Sequence, residues 1–282
     1  MRTVRLYSEN NDFQRLDTIK RNREKRHRYG EFFVEGVRAV ERLLAFGWDI
    51  RAFACSRERQ LSSWAQDVLA ASSAEVIYEM PQAMMDKLSD REESSELVAV
   101  ARIKPSDIKS IGIHDRLLAV VFDRPVSPGN LGSLVRTCDA FRADALIVTG
   151  HAADIYDPQC IRASVGSLFT LPVLQMDSPR EVEAWAVEVR TSHPDLQLIG
   201  TSAHAELPID RVDFRRPTIL LVGNETDGLS RSYTAMADSL CTIPMAGSAT
   251  SLNVAAAASV SLYEAVRQRG FFAVRASDTA QP

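Results

Sequence analysis

Apolar runs alternate with amphipathic segments along the second half of the chain. The apolar runs, each short enough for one buried strand, are LLAVVFD, DALIVTG, LPVLQ, LQLIGT, TILLVG and CTIPM. Segments with helical spacing, such as NLGSLVRTCDAF and PREVEAWAVEVRTS, lie between them. Because buried strands alternating with helices are typical of a parallel sheet covered on both faces, the pattern predicts an α/β fold. A last helix, VAAAASVSLYEAVRQRG, is predicted to end at Gly270.

The first half of the chain predicts a smaller α/β unit that ends near Ile103. A charged helix is expected from Asp12 to about Arg28. The stretch EFFVEGVRAVERLLAFG carries apolar side chains at helical spacing and predicts another helix, which stops at Gly47. Further expected elements are strands at IRAFACS and AEVIYEM and helices at Ser62 to Ala71 and PQAMMDKLSD. Proline, glycine and charges in KPSDIKSIGIHD predict a linker over residues 104–115.

Composition narrows the class of protein. Of the 282 residues, 45% are apolar and 25% are charged, which is ordinary for a soluble globular protein. No apolar run approaches the length of a membrane span, and the first residues lack the apolar core of a signal peptide, so a cytoplasmic location without membrane contact is expected. The four cysteines have no CxxC pairing and the five histidines no metal-ligand spacing, so we expect buried free thiols and no metal.

Charge is unevenly distributed along the chain. The net charge is −4, yet IKRNREKRHRYG, from Ile19 to Gly30, contains a single acid, Glu24. A basic patch on a mildly acidic protein indicates a directed contact with a polyanion. The alternative, which the segment alone leaves open, is a solvated helix face. The residues expected to make that contact are Arg21, Arg23, Lys25 and Arg26.

Three loops follow predicted strands at the edge where parallel α/β sheets bind their ligands. They are DRPVSPGNLGSLVR after Phe122, GNETDGLS after Val222 and AGSATSLN after Met245. Read separately, each loop has a structural interpretation. Asn130 and Asn253 stand where residues that cap helices would, and Glu225 is suited to a turn or to a helix amino terminus.

Together the three loops carry a resemblance. NLGSLVRTCDAF, LLVGNETDGLS and IPMAGSATSLNVAAAASV, in this order, resemble the three signature motifs of the SpoU (TrmH-like) RNA 2′-O-ribose methyltransferases of the SPOUT class. DPQCIRASVGSLFTLPV is similar to the stretch between that family's first two motifs. The resemblance covers about Leu117 to Gly270. More loosely, the first part, including KRNREKRHRYGEFFVEG, resembles the family's small RNA-binding domain of L30e-like shape.

The resemblance implies more than the pattern of residues could. It implies a parallel α/β sheet with a deep C-terminal trefoil knot, a homodimer, and S-adenosylmethionine held by the knot loops. The periodicity of the sequence does not predict a knot, since knots are rare exceptions to the rules for connecting helices and strands. By motif position, the implied cofactor-binding residues are Thr149, Gly150, Gly223, Glu225, Ile243, Met245, Ser251, Leu252 and Asn253. The implied catalytic set is Arg136, Asn130, Glu225, Ser251 and Asn253.

Arg136 is the implied residue nearest the chemistry. The ribose 2′-OH needs a proton acceptor or a charge that favours the alkoxide. Because a guanidinium holds its proton firmly, we favour Arg136 as the group that orients the hydroxyl and an adjacent phosphate. The family proposal that this arginine is the base is the rival. The sequence departs from the family at Arg142, where glycine is common after the AF of the first motif. Arginine there implies an altered turn or an added RNA contact.

The expected function is therefore S-adenosylmethionine-dependent 2′-O-methylation of structured RNA, with ribosomal RNA favoured by the N-terminal extension. The alternatives are a transfer-RNA methyltransferase and a catalytically silent RNA-binding dimer. A housekeeping and an antibiotic-resistance role stay open. The expected domains are an RNA-binding domain over 10–103, the linker over 104–115, a methyltransferase domain over 116–271 and a flexible tail over 272–282.

Overall fold

A computed structural model describes residues 1–105 and 107–270. Clustering of contacts divides the chain into two units, which are described separately. The first unit comprises Met1–Pro105 and Asp154–Thr170, and the second comprises Ser106–Ala153 and the rest from Leu171. The segment Asp154–Thr170 therefore groups with the first unit, although its sequence position lies within the expected methyltransferase domain. The expected tail, 272–282, lies outside the described residues.

The second unit is built on a seven-stranded sheet with parallel pairing at every described neighbour. Its strands are β6 (Leu118–Asp123), β7 (Ala145–Thr149), β8 (Val173–Met176), β9 (Gln197–Thr201), β10 (Leu207–Pro208), β11 (Thr218–Val222) and β12 (Ser239–Thr242). The strand order is β10-β12-β9-β11-β6-β7-β8. Strands β6, β7 and β11 are buried throughout, because helices cover both faces of such a sheet. The α/β prediction with a parallel sheet is confirmed.

The helices of the second unit agree closely with the periodicity. They are α6 (Pro128–Ala140), α8 (Pro179–Ser192), α9 (Arg231–Met236) and α10 (Val254–Gln268). Helix α8 begins at a capping box of Ser178 and Glu181. Gly270 follows α10 with a φ of 73°, in the left-handed region where glycine is favoured, and so confirms the predicted stop.

The first unit contains a mixed five-stranded sheet in the part of the chain described. Its strands are β1 (Arg2–Arg5), β2 (Glu31–Glu35), β3 (Ile50–Ser56), β4 (Val76–Met80) and β5 (Leu97–Arg102), in the order β1-β4-β3-β5-β2. Its helices are α1 (Asn11–Arg21), α2 (Arg23–Tyr29), α3 (Val37–Ala45), α4 (Ser63–Ala71), α5 (Gln82–Leu88) and α7 (Pro158–Ser164). β1 and β5 were not anticipated.

Two helix predictions in this unit are corrected. The charged helix from Asp12 to Arg28 is two helices, because the side chain of Asn22 accepts the amide of Lys25 and caps α2 where α1 ends. EFFVE is strand β2, and the helix begins only at Val37. The side chains of Phe32 and Phe33 point to opposite faces of the strand, and both are buried. Because both faces of β2 are covered, two consecutive apolar residues are stable there in a strand. All four cysteines are buried and free, as expected.

Arg269 fastens the end of α10 to the start of the sheet. Its guanidinium donates to the carbonyl oxygens of Phe214 at 2.7 Å, Arg216 at 2.9 Å and Leu117 at 3.1 Å, and also to that of Arg116. One charged side chain thus satisfies four backbone carbonyls in the segments that enter β6 and β11. Since bonds to charged donors are stronger than neutral ones, this contact holds the helix end firmly.

We predict that Arg269→Met lowers the free energy of unfolding by about 2–4 kcal/mol, because it leaves those carbonyls without their charged donor. Arg267→Met is the matched control, since Arg267 is exposed and pairs with Glu264 on the same helix. Its effect should stay within about 0.5 kcal/mol. Urea unfolding curves of both variants provide the measurement. Equal losses in the two variants would contradict the fastening role.

Candidate active site

The loop after β6 leads into α6 through a proline turn. Ser127 is the cap of this helix, since its Oγ accepts the amide of Asn130 at 3.2 Å, and Pro128 occupies the first turn. The expectation that Asn130 caps the helix is therefore wrong. Asn130 lies inside the first turn, because a proline with fixed φ and no amide proton is suited to open the helix ahead of it. Its side chain is left free to bond to other loops.

Glu225, in the loop after β11, binds the start of α6. Its carboxylate accepts the amides of Val126 at 3.1 Å and Ser127 at 3.2 Å, and the side-chain amide of Asn130 at 3.0 Å. Partial burial by itself would raise the pKa of Glu225, but these hydrogen bonds outweigh it and hold the pKa below the ordinary value. Glu225 is therefore ionised at neutral pH and neutralises the positive end of the α6 dipole.

Asn253 extends the contact to the third loop. Its Nδ2 donates to Asn130 Oδ1 at 3.2 Å, while its Oδ1 accepts the amide of Ala255 at 2.9 Å and caps α10. The predicted cap is thus present, and the same side chain reaches another motif. Glu225, Asn130 and Asn253 form one hydrogen-bonded chain, hereafter the polar chain, which joins the loops after β6, β11 and β12.

The loop after β11 doubles back sharply. A Cβ on Gly223 would lie 2.1 Å from the carbonyl carbon of Gly228 and 2.2 Å from the amide nitrogen of Leu229. No side chain fits in that space, so glycine is obligatory there. Asn224 closes the turn, since its side-chain oxygen accepts the amides of Thr226 at 2.9 Å and Asp227 at 2.6 Å. Glu225 thereby lies at the top of a tight, hydrogen-bonded turn.

The loop that precedes α10 has the opposite character. Within the described residues, 244–252 make no hydrogen bond, either through the backbone or through side chains. Met245 and Leu252 are exposed by 41% and 38%, and Ser251 is also exposed. Ile243, at the end of β12, is half-buried. Solvent-exposed amides and carbonyls without a partner in the described chain, beside exposed apolar side chains, are available to the edge and face of a flat heterocycle.

Thr149 ends β7 and Gly150 follows it. Thr149 is fully buried, and its Oγ1 receives the hydroxyl of Tyr233 at 3.1 Å. Burial raises the pKa of Tyr233 far above its ordinary value, so the hydroxyl stays a donor. Because Tyr233 occupies it, the Thr149 side chain is not available to a ligand. Gly150 adopts a φ of 71° and donates its amide to Met176.

Arg136 lies on α6, six residues beyond Asn130, with its side chain exposed. In the described part of the chain its guanidinium has no hydrogen bond or ion pair. The structure thus brings together Asn130, Glu225 and Asn253 and leaves Arg136 and Ser251 outside the polar chain. An exposed, uncommitted guanidinium is suited to an incoming phosphate or hydroxyl.

Arg142, where the sequence departs from the family, has a φ of 53°. The amide of Ala143 still bonds to Cys138 and that of Arg142 to Asp139, as at an ordinary helix end. The expectation of an altered turn is therefore wrong, because arginine adopts the left-handed conformation that glycine would have taken.

The basic segment of the first unit needs one correction. Arg26 is 1% exposed, and its Nε donates to Asp154 at 2.8 Å while its Nη1 donates to the carbonyls of Ile19 and Lys20. A buried, fully paired guanidinium cannot contact RNA, so Arg26 is a structural residue. Burial distinguishes a structural arginine from an RNA-binding one, and a run of charges in the sequence does not show which residues are buried.

The other members of that segment are accessible. Arg21 is exposed and pairs with Asp17 at 2.7 Å, while Lys25 and Arg23 are half-buried. Arg23 also has a contact within the chain. The RNA-binding role of these three residues stays a prediction.

Sequence reasoning missed three residues beside the site: Asp123, Arg124 and Tyr233. Asp123 ends β6 as a charge on an otherwise apolar run, and that was a usable signal, since polar groups at strand ends face the ligand edge. No feature of the local sequence indicated a role for Arg124. Its φ of 51° is visible only in the structure.

Two negative findings concern the described residues. They hold no group of three or more His, Cys, Asp or Glu side chains placed to bind a metal ion. None of their helices has the length and apolar character needed to span a bilayer.

Comparison with known proteins gives the class. Residues 117–263 match the model of the SpoU rRNA Methylase family, and residues 10–99 match the SpoU L30e-like domain. The 23S rRNA (uridine(2479)-2′-O)-methyltransferase of Streptomyces viridochromogenes is 44% identical, with 94% of this chain and 92% of that protein covered. The 23S rRNA (guanosine-2′-O-)-methyltransferase RlmB of Pseudomonas syringae is 30% identical, with 76% of each covered.

A solved structure extends the likeness to the fold. The SpoU methyltransferase AviRb from Streptomyces viridochromogenes, in complex with AdoMet, has a TM-score of 0.87 and 43% identity, covering 92% of this chain and 98% of that one. Fold and site thus define an α/β methyltransferase that uses S-adenosylmethionine. The chain belongs to the SpoU rRNA methylase family, as its motifs predicted.

We predict that Glu225→Gln flattens the acid limb of the stability curve. The folded pKa of Glu225 is depressed, so its stabilisation is complete above the unfolded pKa and is lost as pH falls through the folded pKa. Glutamine does not titrate and lacks this dependence. It should also cost about 1–2 kcal/mol at pH 7, since it accepts fewer hydrogen bonds. The measurement is urea unfolding at a series of pH values from about 3 to about 7, a range that includes the ordinary titration of a carboxyl group. Parallel curves for both proteins would disprove this role.

We predict opposite outcomes for two neighbouring basic residues. Arg26→Met should lower the free energy of unfolding by about 3–5 kcal/mol, because it removes the buried guanidinium that pairs with the buried carboxylate of Asp154. Lys25→Met should leave stability within about 0.5 kcal/mol and reduce the salt slope of RNA binding by about one. Thermal melts and filter binding at several salt concentrations separate the two. An unchanged salt slope for Lys25→Met would return the segment to a solvated helix face.

Proposed function

We propose that this protein methylates a ribose 2′-OH in RNA of the large ribosomal subunit. The observation that carries the proposal is the polar chain, which fixes three motif loops in the half of the chain that matches the family. Support for the substrate comes from the relative at 44% identity, whose name specifies 23S rRNA. Because this substrate is ribosomal RNA, we place the activity in the cytoplasm.

The residues around the polar chain fit S-adenosylmethionine. The unpaired backbone of 244–252 offers amides and carbonyls to the purine edge, and Met245 and Leu252 offer apolar contact. Gly223 keeps the neighbouring turn free of side chains. When bound, the cofactor supplies an electrophilic methyl group on a sulfonium. The proposed cofactor residues are Gly150, Gly223, Glu225, Ile243, Met245, Ser251, Leu252 and Asn253, with Thr149 acting only through its backbone.

The chain's own residues then position the acceptor. Arg136 presents its guanidinium to the 2′-OH and the neighbouring phosphate, and favours the developing alkoxide by its charge. Its proton affinity argues against the rival in which it acts as the base. Asn130, Glu225 and Asn253 act by holding the loops in place, and Ser251 is an exposed hydroxyl on the loop before α10. Positioning accelerates such a transfer strongly. The proton of the 2′-OH then passes to the neighbouring phosphate or to water, since none of these side chains is assigned as its base.

A homodimer and a knotted C-terminal segment complete the proposal. Val260 and Tyr263 on α10 are exposed by 39% and 49%, an apolar surface that a second copy would cover. Family membership supports the knot. We retain the boundaries 10–103, 104–115 and 116–271, with the added feature that Asp154–Thr170 packs within the first unit.

The decisive experiment incubates the purified protein with labelled S-adenosylmethionine and unmodified 23S rRNA, 16S rRNA or total transfer RNA, and then maps 2′-O-methyl sites. One methylated position in 23S rRNA is the expected result. Methylation of transfer RNA alone would overturn the substrate. Failure to bind the cofactor in a calorimetric titration would favour the silent RNA-binding dimer.

We predict that Arg136→Lys reduces turnover about 100-fold, because lysine keeps the charge but lacks the planar fork. Affinity for S-adenosylmethionine should change less than about threefold, since Arg136 lies outside the polar chain. Single-turnover methylation of the mapped RNA at saturating cofactor tests this. Near-normal turnover would defeat both the positioning and the base assignments.

A further inference from the structure

Asp123 lies at the centre of the sheet edge that carries the site. It is the last residue of β6, between β11 and β7, and is 1% exposed. One carboxylate oxygen accepts the amide of Ser230, the cap of α9, at 2.7 Å. A buried carboxylate at this place needs a cationic partner, which the next residue in the chain supplies.

Arg124 is held in an unusual conformation. Its φ is 51°, in the left-handed region that L side chains rarely adopt. From there its Nε and Nη2 reach the two oxygens of Asp123 at 3.1 and 3.3 Å. A strained residue persists only where its surroundings fix it, and such residues concentrate at functional sites.

The same arginine contacts both neighbouring loops. Its backbone amide donates to Thr149 at 3.0 Å, and its Nη2 lies 3.4 Å from the carbonyl oxygen of Gly228. A Cβ on Gly150 would lie 2.9 Å from Arg124 Cγ, so the stem of the arginine fills the space over that glycine. Gly228 in turn backs directly onto Gly223. Asp123 and Arg124 thus tie together the loops after β6, β7 and β11 without using any residue of the polar chain.

We propose that Arg124, fixed by Asp123, is a positioning residue for cofactor binding. It sets the spacing between Gly150 and the turn from Gly223 to Gly228 before the cofactor arrives. The proposal rests on the proposed use of S-adenosylmethionine by this site. Pre-formed loops raise affinity, because the ordering cost is not incurred at the moment of binding.

A purely structural ion pair would behave differently. Weakening such a pair would lower stability and leave the affinity of the surviving folded protein unchanged. Weakening a positioning pair lowers affinity in protein that is still folded. Arg124→Lys separates the two, because lysine keeps the charge and the stem over Gly150 but cannot reach Asp123 and Gly228 at once.

The experiment titrates S-adenosylmethionine calorimetrically into the full-length protein, wild type and variants, each checked for folding by its melting temperature. Arg124→Lys should raise the Kd about 10-fold, which corresponds to about 1.4 kcal/mol. Turnover at saturating cofactor should stay within about threefold, so the effect falls on cofactor KM rather than kcat. Arg142→Lys is the matched control, since Arg142 is also an arginine of positive φ in this unit, at 53°, but follows the far end of α6. The Kd of Arg142→Lys should stay within about twofold of the wild-type value, which is well below the expected effect of Arg124→Lys.

Asp123→Asn provides a second measurement, because asparagine keeps the acceptor for Ser230 and loses the charge that holds Arg124. It should raise the Kd in the same direction. An unchanged Kd in either folded variant overturns the proposal, as does a fall in kcat with unchanged Kd, which would assign Arg124 to the RNA. Wild-type protein that fails to bind S-adenosylmethionine would overturn the proposed function itself, a result distinct from these.

Discussion

The carboxylate of Glu225 is the group on which the geometry of the candidate active site depends. It accepts three hydrogen bonds at the start of α6, and Asn130 passes the contact on to Asn253 at the start of α10. Two helices and the turn after β11 therefore take their positions from one charged group. Since the bonds favour its ionised form, the arrangement is strongest at neutral pH, where carboxylate, helix dipole and amide donors reinforce one another.

A second charged group organises the first unit in a similar way. Arg26 is buried with Asp154, and the same guanidinium satisfies two backbone carbonyls in the last turn of α1. Asp154 belongs in sequence to the long connection between β7 and β8, yet it packs with residues of the N-terminal part of the chain. The residue that looked most like one more surface cation is thus a structural centre, because a complete set of partners offsets the cost of burying its charge.

The strength of local signals explains where sequence reasoning succeeded. Strands β6, β7 and β11 were predicted because long apolar runs have few alternatives, and α8 was predicted from its helical spacing. Strand β2 was taken for helix because Phe33 and Val37 share helical spacing by coincidence. Only the pairing of β2 with β5, residue by residue from Glu31 with Arg102 to Glu35 with Val98, decides between the two. Short apolar stretches leave this choice to long-range contacts.

By itself, the sequence determined the α/β class, the three loops at the sheet edge, the cap at Asn253 and membership of the methyltransferase family, because each depends on residues close together in the chain. The tertiary structure alone decided which side chains meet. It joined Glu225 to Asn130 across 95 positions and Asn253 to Asn130 across 123. It also paired the hydroxyls of Tyr233 and Thr149, buried Arg26, and placed the Arg124 side chain between Gly150 and Gly228. Contact between distant residues depends on how the sheet orders its strands, and no local pattern of residues encodes that order.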